Sequence, residues 1–165
     1  MSSPLVSSIL ETRLAAWPDE AACAASAERV ARRSALREAF IELHGPLGAG
    51  KTTFARHLLH ALGVAGPIKS PTYTLLEPYR ASDAAGGFAI AHCDFYRFDD
   101  PGEWEDAGFR DVFAERGLKL VEWPEKAAGL LPRCDLRVSI TPSERSDARS
   151  VRIEALSERG LELLP

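Results

Sequence analysis

A chain of 165 residues has the length of one domain, and its 45% hydrophobic and 27% charged residues are the proportions of a folded, soluble protein. No apolar run approaches the roughly 18 residues that span a bilayer, and the N-terminus lacks a basic region followed by a long apolar core, so we expect neither a membrane span nor a signal peptide. The formal net charge of -4 argues against autonomous nucleic-acid binding, which usually needs a basic face.

These properties predict one domain over residues 1–165, located in the cytoplasm, with residues 1–10 as a candidate disordered segment. The three cysteines, Cys23, Cys93 and Cys134, are widely spaced and form no C-x-x-C pair. We therefore expect buried free thiols rather than a zinc site or a disulfide framework.

The first predicted elements lead into a glycine-rich loop. ILETRL (residues 9–14) predicts a short edge strand. Pro18-Asp19-Glu20 predicts the capped start of a helix that runs through residues 21–39, with both acids at the positive end of its dipole. AFIELH (residues 39–44) is an apolar run of strand length, and GPLGAGKTTF (residues 45–54) follows it directly.

This loop meets the pattern G-x-x-x-x-G-K-[ST] at Gly45, Gly50, Lys51 and Thr52. The following segment, TTFARHLLHALG (residues 52–63), has apolar residues at helical spacing and ends on a glycine, so the strand–loop–helix context is met. In such a loop, backbone N–H groups wrap the phosphates, the lysine reaches the β- and γ-phosphates, and the hydroxyl binds magnesium. The sequence therefore predicts a magnesium-nucleotide site.

The remaining elements predict strands with short helices between them. We expect two antiparallel strands at residues 74–80 and 86–98, followed by two short helical turns within residues 99–117. An apolar strand at 118–123 and a loop or short helix at 124–132 come next. A second hairpin is expected from strands at 135–140 and 150–156. The predicted fold is α/β, a P-loop NTPase-like three-layer sandwich. Its central sheet is mixed, with parallel strands around the loop and antiparallel additions.

A magnesium-nucleotide site also needs a carboxylate at the end of a neighbouring strand. Asp94 and Glu122 each end an apolar strand, and the residues alone leave the choice between them open. The chain contains no Asn, no Gln and no K-x-D sequence, so it lacks the usual devices for reading guanine and for aiming water in GTPases. By elimination we expect ATP.

Three further features lie near these strand ends. KSPTYT (residues 69–74) follows the helix after the loop, where P-loop proteins carry a switch segment that senses the γ-phosphate. His92-Cys93-Asp94-Phe95-Tyr96-Arg97 mixes reactive side chains at a strand end. Trp123 follows Glu122, and we interpret it as a core residue rather than a pocket wall.

Four segments together resemble the TsaE (YjeE) family, small bacterial P-loop ATPases needed to make threonylcarbamoyladenosine in tRNA. They are GPLGAGKTTF, KSPTYTL, HCDFYRF and LVEWPEK, which begin at residues 45, 69, 92 and 120, and DPGEWEDAGFRDVF (residues 100–113) resembles a fifth family segment. The resemblance runs from about Glu11 to Arg149.

The resemblance implies roles for individual residues. The family's phosphate-binding loop matches Gly48, Ala49, Gly50, Lys51, Thr52 and Thr53. Thr52 and Glu122 match its magnesium-coordinating pair, which favours Glu122 over Asp94 as the metal ligand. Asp94 matches an aspartate needed for activity, so the implied catalytic set is Lys51, Asp94 and Glu122.

The resemblance also implies more distant nucleotide contacts. Ser70, Thr72 and Thr74 fall in the switch-like loop, and we include Thr72 among the nucleotide-binding residues. Arg149 falls near a nucleotide-binding position. Cys23 stands near where the family often has a threonine beside the adenine, and Pro46 replaces a usual acidic or polar residue of the loop.

The family's activity implies partners. The expected protein is a magnesium-dependent ATPase, weak alone, that energises or resets the complex of TsaD and TsaB for modification at position 37 of ANN-decoding tRNAs. It would meet tRNA only through that complex and would have no membrane partner. Two other functions remain open, a small-molecule kinase and a nucleotide-dependent binding module without turnover.

Overall fold

The computed structural model describes residues 8–165, and within them seven strands form one mixed sheet in the order β1-β7-β6-β2-β5-β4-β3. The strands are β1 Glu11–Trp17, β2 Phe40–His44, β3 Leu76–Arg80, β4 Ala89–Asp94, β5 Leu118–Glu122, β6 Leu136–Pro142 and β7 Arg149–Ala155. The four central strands, β6, β2, β5 and β4, are parallel, and the pairs β1/β7, β6/β7 and β3/β4 are antiparallel. The predicted mixed sheet is confirmed.

Helices cover both faces of this sheet. They are α1 Glu20–Ala31, α2 Lys51–Ala61, α3 Pro101–Asp106, α4 Phe109–Ala114 and α5 Glu158–Leu163, with 3₁₀ turns at Ser34–Glu38, Asp83–Ala85 and Pro124–Ala127. One buried cluster joins α1 and α2 to the sheet, and a second, rich in aromatic residues, joins α3 and α4 to the other face. The three-layer α/β prediction is therefore confirmed.

The first helix is shorter than its sequence pattern predicts. Asp19 caps α1 as expected, accepting a hydrogen bond from the amide of Ala22 at 2.9 Å. The prediction that the helix runs to residue 39 is wrong, because the chain turns extended at Arg33 and forms a 3₁₀ turn that buries Leu36. Burial of this leucine under the sheet outweighs the good helix propensity of the segment.

Two differences concern the chain ends. β1 begins two residues later than predicted, although the Leu10 amide already donates to the Ala155 carbonyl at 2.8 Å. The part of the disorder prediction that covers residues 1–7 lies outside the described residues. Helix α5, capped by Ser157, does not figure in the sequence-based prediction.

All three cysteines are buried free thiols, as predicted. Burial raises the pKa of Cys23 to about 11 and that of Cys93 to about 12, and it also raises the pKa of Cys134. Each thiol thus stays protonated in the folded protein above pH 9, where it would ionise once unfolded. Thiols with raised pKa values contribute stability that is lost as the pH rises above 9.

A Cys93→Ala variant isolates this pH dependence. The free energy of unfolding of the wild type should fall relative to that of the variant by roughly 1 kcal/mol between pH 8.5 and 10, because only the wild type releases the proton of the Cys93 thiol on unfolding. Burial lowers the pKa of Lys51 and of Lys119, which opposes the trend, but both proteins carry these lysines and the effect cancels. Urea unfolding under reducing conditions measures the difference, and parallel pH profiles would contradict the assignment.

Candidate functional site

The glycine-rich loop joins β2 to α2 at the carboxyl ends of the parallel strands. Gly45 has φ +146°, and a Cβ there would lie 2.5 Å from the Ile140 carbonyl oxygen on β6, so only glycine fits beside that strand. Gly50 caps α2 with φ +110°, and a Cβ there would meet open space. The loop therefore turns back over the start of α2, where helix N–H groups and the helix dipole favour an anion.

Lys51 lies within this loop and is 4% exposed. Its ammonium donates to the carbonyls of Gly45 at 2.5 Å and Pro46 at 2.9 Å, and it lies 4.1 Å from the centre of the Trp123 ring. Burial lowers the pKa of Lys51, while the carboxylates of Glu122, Glu125 and Asp94 act in the opposite direction. A phosphate group beside this lysine would favour its charged form.

A chain of hydrogen bonds runs from α2 through β5 to β4. The Thr52 hydroxyl donates to Oε1 of Glu122 at 2.7 Å, and Nε2 of His92 lies 2.7 Å from Oε2 of the same carboxylate. Glu122 is 2% exposed and His92 is fully buried. A hydroxyl beside a fixed carboxylate is the oxygen donor set that suits Mg²⁺, which binds few protein groups and keeps several waters.

Asp94 lies beside this pair. β4 and β5 are in register such that Asp94 is opposite Glu122. Its Oδ1 accepts from the Tyr96 amide at 2.9 Å, and its Oδ2 accepts from the hydroxyls of Thr72, at 3.1 Å, and Ser70. The switch-like loop is thus attached to the aspartate by its side chains.

One cavity of about 310 Å³ collects most of the predicted residues. It is lined by Leu47, Gly48, Ala49, Gly50, Lys51, Thr52, Thr53, Ser70, Thr72, Asp94, Tyr96, Glu122 and Trp123. Within the described residues, no three His, Cys, Asp or Glu side chains cluster as a metal site.

Cys23 and Arg149 lie across the loop from this cavity. They line a second cavity of about 360 Å³ with Trp17, Asp19, Glu20 and Asp147, and the two cavities share Ala49, Gly50 and Thr53 of the loop. Nε of Arg149 donates to the Ala49 carbonyl at 2.8 Å, which ties the β6–β7 hairpin to the loop. Both cavities therefore border the same turn.

The structure changes the sequence-based interpretation of Trp123. Trp123 packs partly against the core but also lines the 310 Å³ cavity, so it is half-buried rather than a core residue. It adopts φ +55°, and its ring lies 4.9 Å from that of Tyr96. Thr74 of the switch-like loop donates to Glu77 at 3.2 Å rather than to Asp94. A larger cavity of about 630 Å³, lined partly by Arg37, Arg116 and Arg159, touches none of the predicted site residues.

His92 is a site residue to which the sequence pattern assigned no role. The signal was present in the spacing: residues two apart in a strand share a face, so His92 projects on the same side of β4 as Asp94. The sequence alone does not show that the histidine contacts Glu122, because that contact depends on the alignment of β4 with β5.

The parallel centre of the sheet, the glycine-rich turn at a strand end and the lysine held in it define a P-loop NTPase-like α/β protein. The family model for TsaE, the threonylcarbamoyl adenosine biosynthesis protein, matches residues 17–151. The chain belongs to the TsaE family. Within residues 8–165, no helix combines the length and the apolar character needed to cross a membrane.

Individual relatives agree with this assignment. The tRNA threonylcarbamoyladenosine biosynthesis protein TsaE of Haemophilus influenzae is 42% identical over 124 residues, covering 75% of each chain. The protein of the same name from Bacillus subtilis is 34% identical over 119 residues, covering 72% of this chain and 71% of its own. A crystal structure of Bacillus subtilis YdiB superposes with a TM-score of 0.73 at 25% identity, covering 93% of this chain and 91% of its own.

Proposed function

We propose that this protein is a magnesium-dependent ATPase that serves the biosynthesis of threonylcarbamoyladenosine in tRNA. The observation that carries the proposal is the meeting of Lys51 with the hydrogen-bonded pair Thr52 and Glu122 in one cavity at the P-loop. The relatives named for this tRNA modification supply the pathway.

The first step is binding of the triphosphate by the loop. Amides of the loop and of the first turn of α2 bind the phosphates, and Lys51 moves its ammonium from the carbonyls of Gly45 and Pro46 to the β- and γ-phosphates. Thr52 and Glu122 would hold Mg²⁺ through hydroxyl and carboxylate oxygen. When bound, the ion supplies positive charge that offsets the charge on the phosphate oxygens in the transition state.

The second cavity suits the adenine. Its wall includes Cys23, whose raised pKa keeps the thiol neutral, so this residue offers a base a soft, uncharged neighbour. Arg149 also lines this cavity. The absence of Asn, Gln and K-x-D from the sequence favours adenine over guanine.

We assign the attacking water to Asp94. Glu122 is held by Thr52 of α2 and by the buried His92 of β4, whereas Oδ2 of Asp94 accepts from the hydroxyls of Ser70 and Thr72 in the switch-like loop, which we propose moves when the nucleotide binds. The water attacks the γ-phosphorus, the bond to the β–γ bridging oxygen breaks, and ADP leaves. Asp94 orients that water once Ser70 and Thr72 release its Oδ2.

The ATPase acts for partner proteins. We propose that it docks with TsaD and TsaB in the cytoplasm and that hydrolysis energises or resets their complex. The net charge of -4 fits indirect contact with tRNA, since the partners would hold the RNA. No membrane partner is involved.

A Glu122→Ala variant tests the metal site. Without this carboxylate, magnesium-dependent ATP hydrolysis should fall by about 10- to 100-fold, because the Thr52 hydroxyl alone is a weak ligand. The measurement is phosphate release over a range of Mg²⁺ concentrations. The isosteric Glu122→Gln variant controls for the lost volume, and Glu125→Ala controls for the loss of a nearby negative charge that does not contact Thr52. Full magnesium-dependent activity in Glu122→Ala would overturn the assignment.

A further inference from the structure

We propose that His92 is a positioning residue that fixes the Glu122 carboxylate for magnesium. This inference rests on the proposed magnesium-ATP site and adds to it a role for a residue that would not itself contact the metal or the nucleotide. The observation behind it is the buried hydrogen bond between His92 and Oε2 of Glu122, the carboxylate oxygen that Thr52 does not contact.

The two oxygens of Glu122 have different partners. Thr52 donates to Oε1 at 2.7 Å and His92 Nε2 lies 2.7 Å from Oε2, so each oxygen has one neighbour on a different element. Two contacts on opposite oxygens fix the rotation of the carboxylate as well as its position. With Oε2 held by the histidine, Oε1 is the oxygen left on the side of Thr52, the other proposed metal ligand.

Among the described residues, the His92 imidazole has a hydrogen-bond partner at Nε2 only. His92 is completely buried, and its Nδ1 has no hydrogen-bond partner within that part of the chain. The tautomer that carries its proton on Nε2 satisfies the contact with Glu122 and leaves only an acceptor unpaired at Nδ1. An apolar side chain would fill the same place without burying an unpaired nitrogen, so packing alone does not account for a histidine there.

The arrangement follows the usual pattern of groups that surround a metal site. A ligating carboxylate is commonly held by a further hydrogen bond, and removing that outer group typically costs 10- to 100-fold in metal affinity. His92 reaches Glu122 because β4 and β5 are in register, with His92 on the same face as Asp94 and two residue pairs before the Asp94–Glu122 pair that ends both strands. Its loss should therefore affect the metal while leaving the phosphate loop unchanged.

The test measures magnesium dependence separately from nucleotide binding. A fluorescent ATP analogue is titrated into wild type, His92→Phe and His92→Gln, first in EDTA and then at increasing Mg²⁺, with circular dichroism melts to confirm folding. In His92→Phe, the affinity in EDTA should match the wild type, and the Mg²⁺ concentration for half-maximal effect should rise about 10- to 100-fold. His92→Gln, whose amide extends to the region of Nε2, should recover most of the wild-type Mg²⁺ response.

Controls separate the possible outcomes. His60→Phe removes another histidine hydrogen bond, to the Gly66 carbonyl, on an exposed part of α2 and should leave the titrations unchanged. Should His92→Phe fail to fold, His92→Asn replaces it, because the shorter amide does not reach the Nε2 position and should show the raised Mg²⁺ requirement.

Two results would overturn the inference. A wild-type Mg²⁺ response in the folded His92→Phe or His92→Asn protein would overturn it and leave the proposed function intact. Nucleotide binding by the wild type that does not respond to Mg²⁺ at all would overturn the magnesium site of the proposed function and the role of His92 together.

Discussion

Lys51→Ala is expected to reduce ATP affinity by roughly 100- to 1000-fold and to abolish measurable hydrolysis. Lys51 as a whole is 4% exposed, and its ammonium lies in the turn where the phosphates would bind, so its attraction to them would be only partly screened by water. Removing it also takes away the donor to two loop carbonyls, those of Gly45 and Pro46. Both effects weaken the same loop.

Isothermal titration with a non-hydrolysable ATP analogue measures the loss of affinity, and circular dichroism verifies that the variant is folded. Lys126→Ala is the matched control, because Lys126 is an exposed lysine close to the site in sequence. It should bind ATP as the wild type does. Retention of wild-type ATP affinity by a folded Lys51→Ala protein would exclude the P-loop as the nucleotide site.

The central part of the fold is predictable because its signals are local. β2 is a short apolar run that ends on a glycine loop, and the following helix has its apolar residues at helical spacing, so strand, loop and helix could be placed within a residue or two. Gly45 and Gly50 mark the turn because both have positive φ angles, which other residues rarely adopt.

Where prediction failed, the cause was tertiary. Nothing in residues 32–39 breaks a helix by its own propensity, and α1 ends before them because Leu36 is buried against the sheet. Helix α5 does begin at a capping serine, Ser157, but its six residues are too few for a periodic apolar pattern to predict a helix.

The site was predictable as a list of residues and not as an arrangement. Spacing identified the loop and two strand-end carboxylates, but the contacts that distinguish Glu122, bound to Thr52, from Asp94, bound to the switch-like loop, depend on strand order. The separation of Cys23 and Arg149 into a second cavity likewise depends on how β1, β7 and α1 meet. Trp123 was taken as core because strand-end aromatic residues usually pack, and its positive φ turns it toward Lys51 instead.

Hydrolysis by the isolated protein is expected to be slow. Fast phosphoryl transfer usually requires a group that positions water and an arginine that stabilises the transferred charge. Here Ser70 and Thr72 occupy Oδ2 of Asp94. The guanidinium of Arg149 is engaged by backbone carbonyls, including that of Ala49 at 2.8 Å and that of Asp147 at 2.7 Å.

Partner binding is the proposed means of releasing these groups. Tyr73, which follows Thr72, is 80% exposed, and Nη2 of Arg97 donates to its hydroxyl at 3.1 Å. The switch-like loop thus presents an accessible aromatic side chain to a partner. Docking of TsaB and TsaD against this loop would free Asp94. It would also allow an arginine, either Arg149 or one from a partner, to reach the phosphates. A group supplied in this way is worth 10³–10⁵ in other phosphoryl-transfer systems, and we expect a stimulation on the order of 100-fold or more.

The most direct test is steady-state phosphate release from ATP by the protein alone and with purified TsaB and TsaD. Lys51→Ala with the same partners gives the background from the partners themselves. The account predicts slow turnover alone and turnover faster by on the order of 100-fold in the complex, with the increase absent in Lys51→Ala. Equal rates with and without TsaB and TsaD would contradict it.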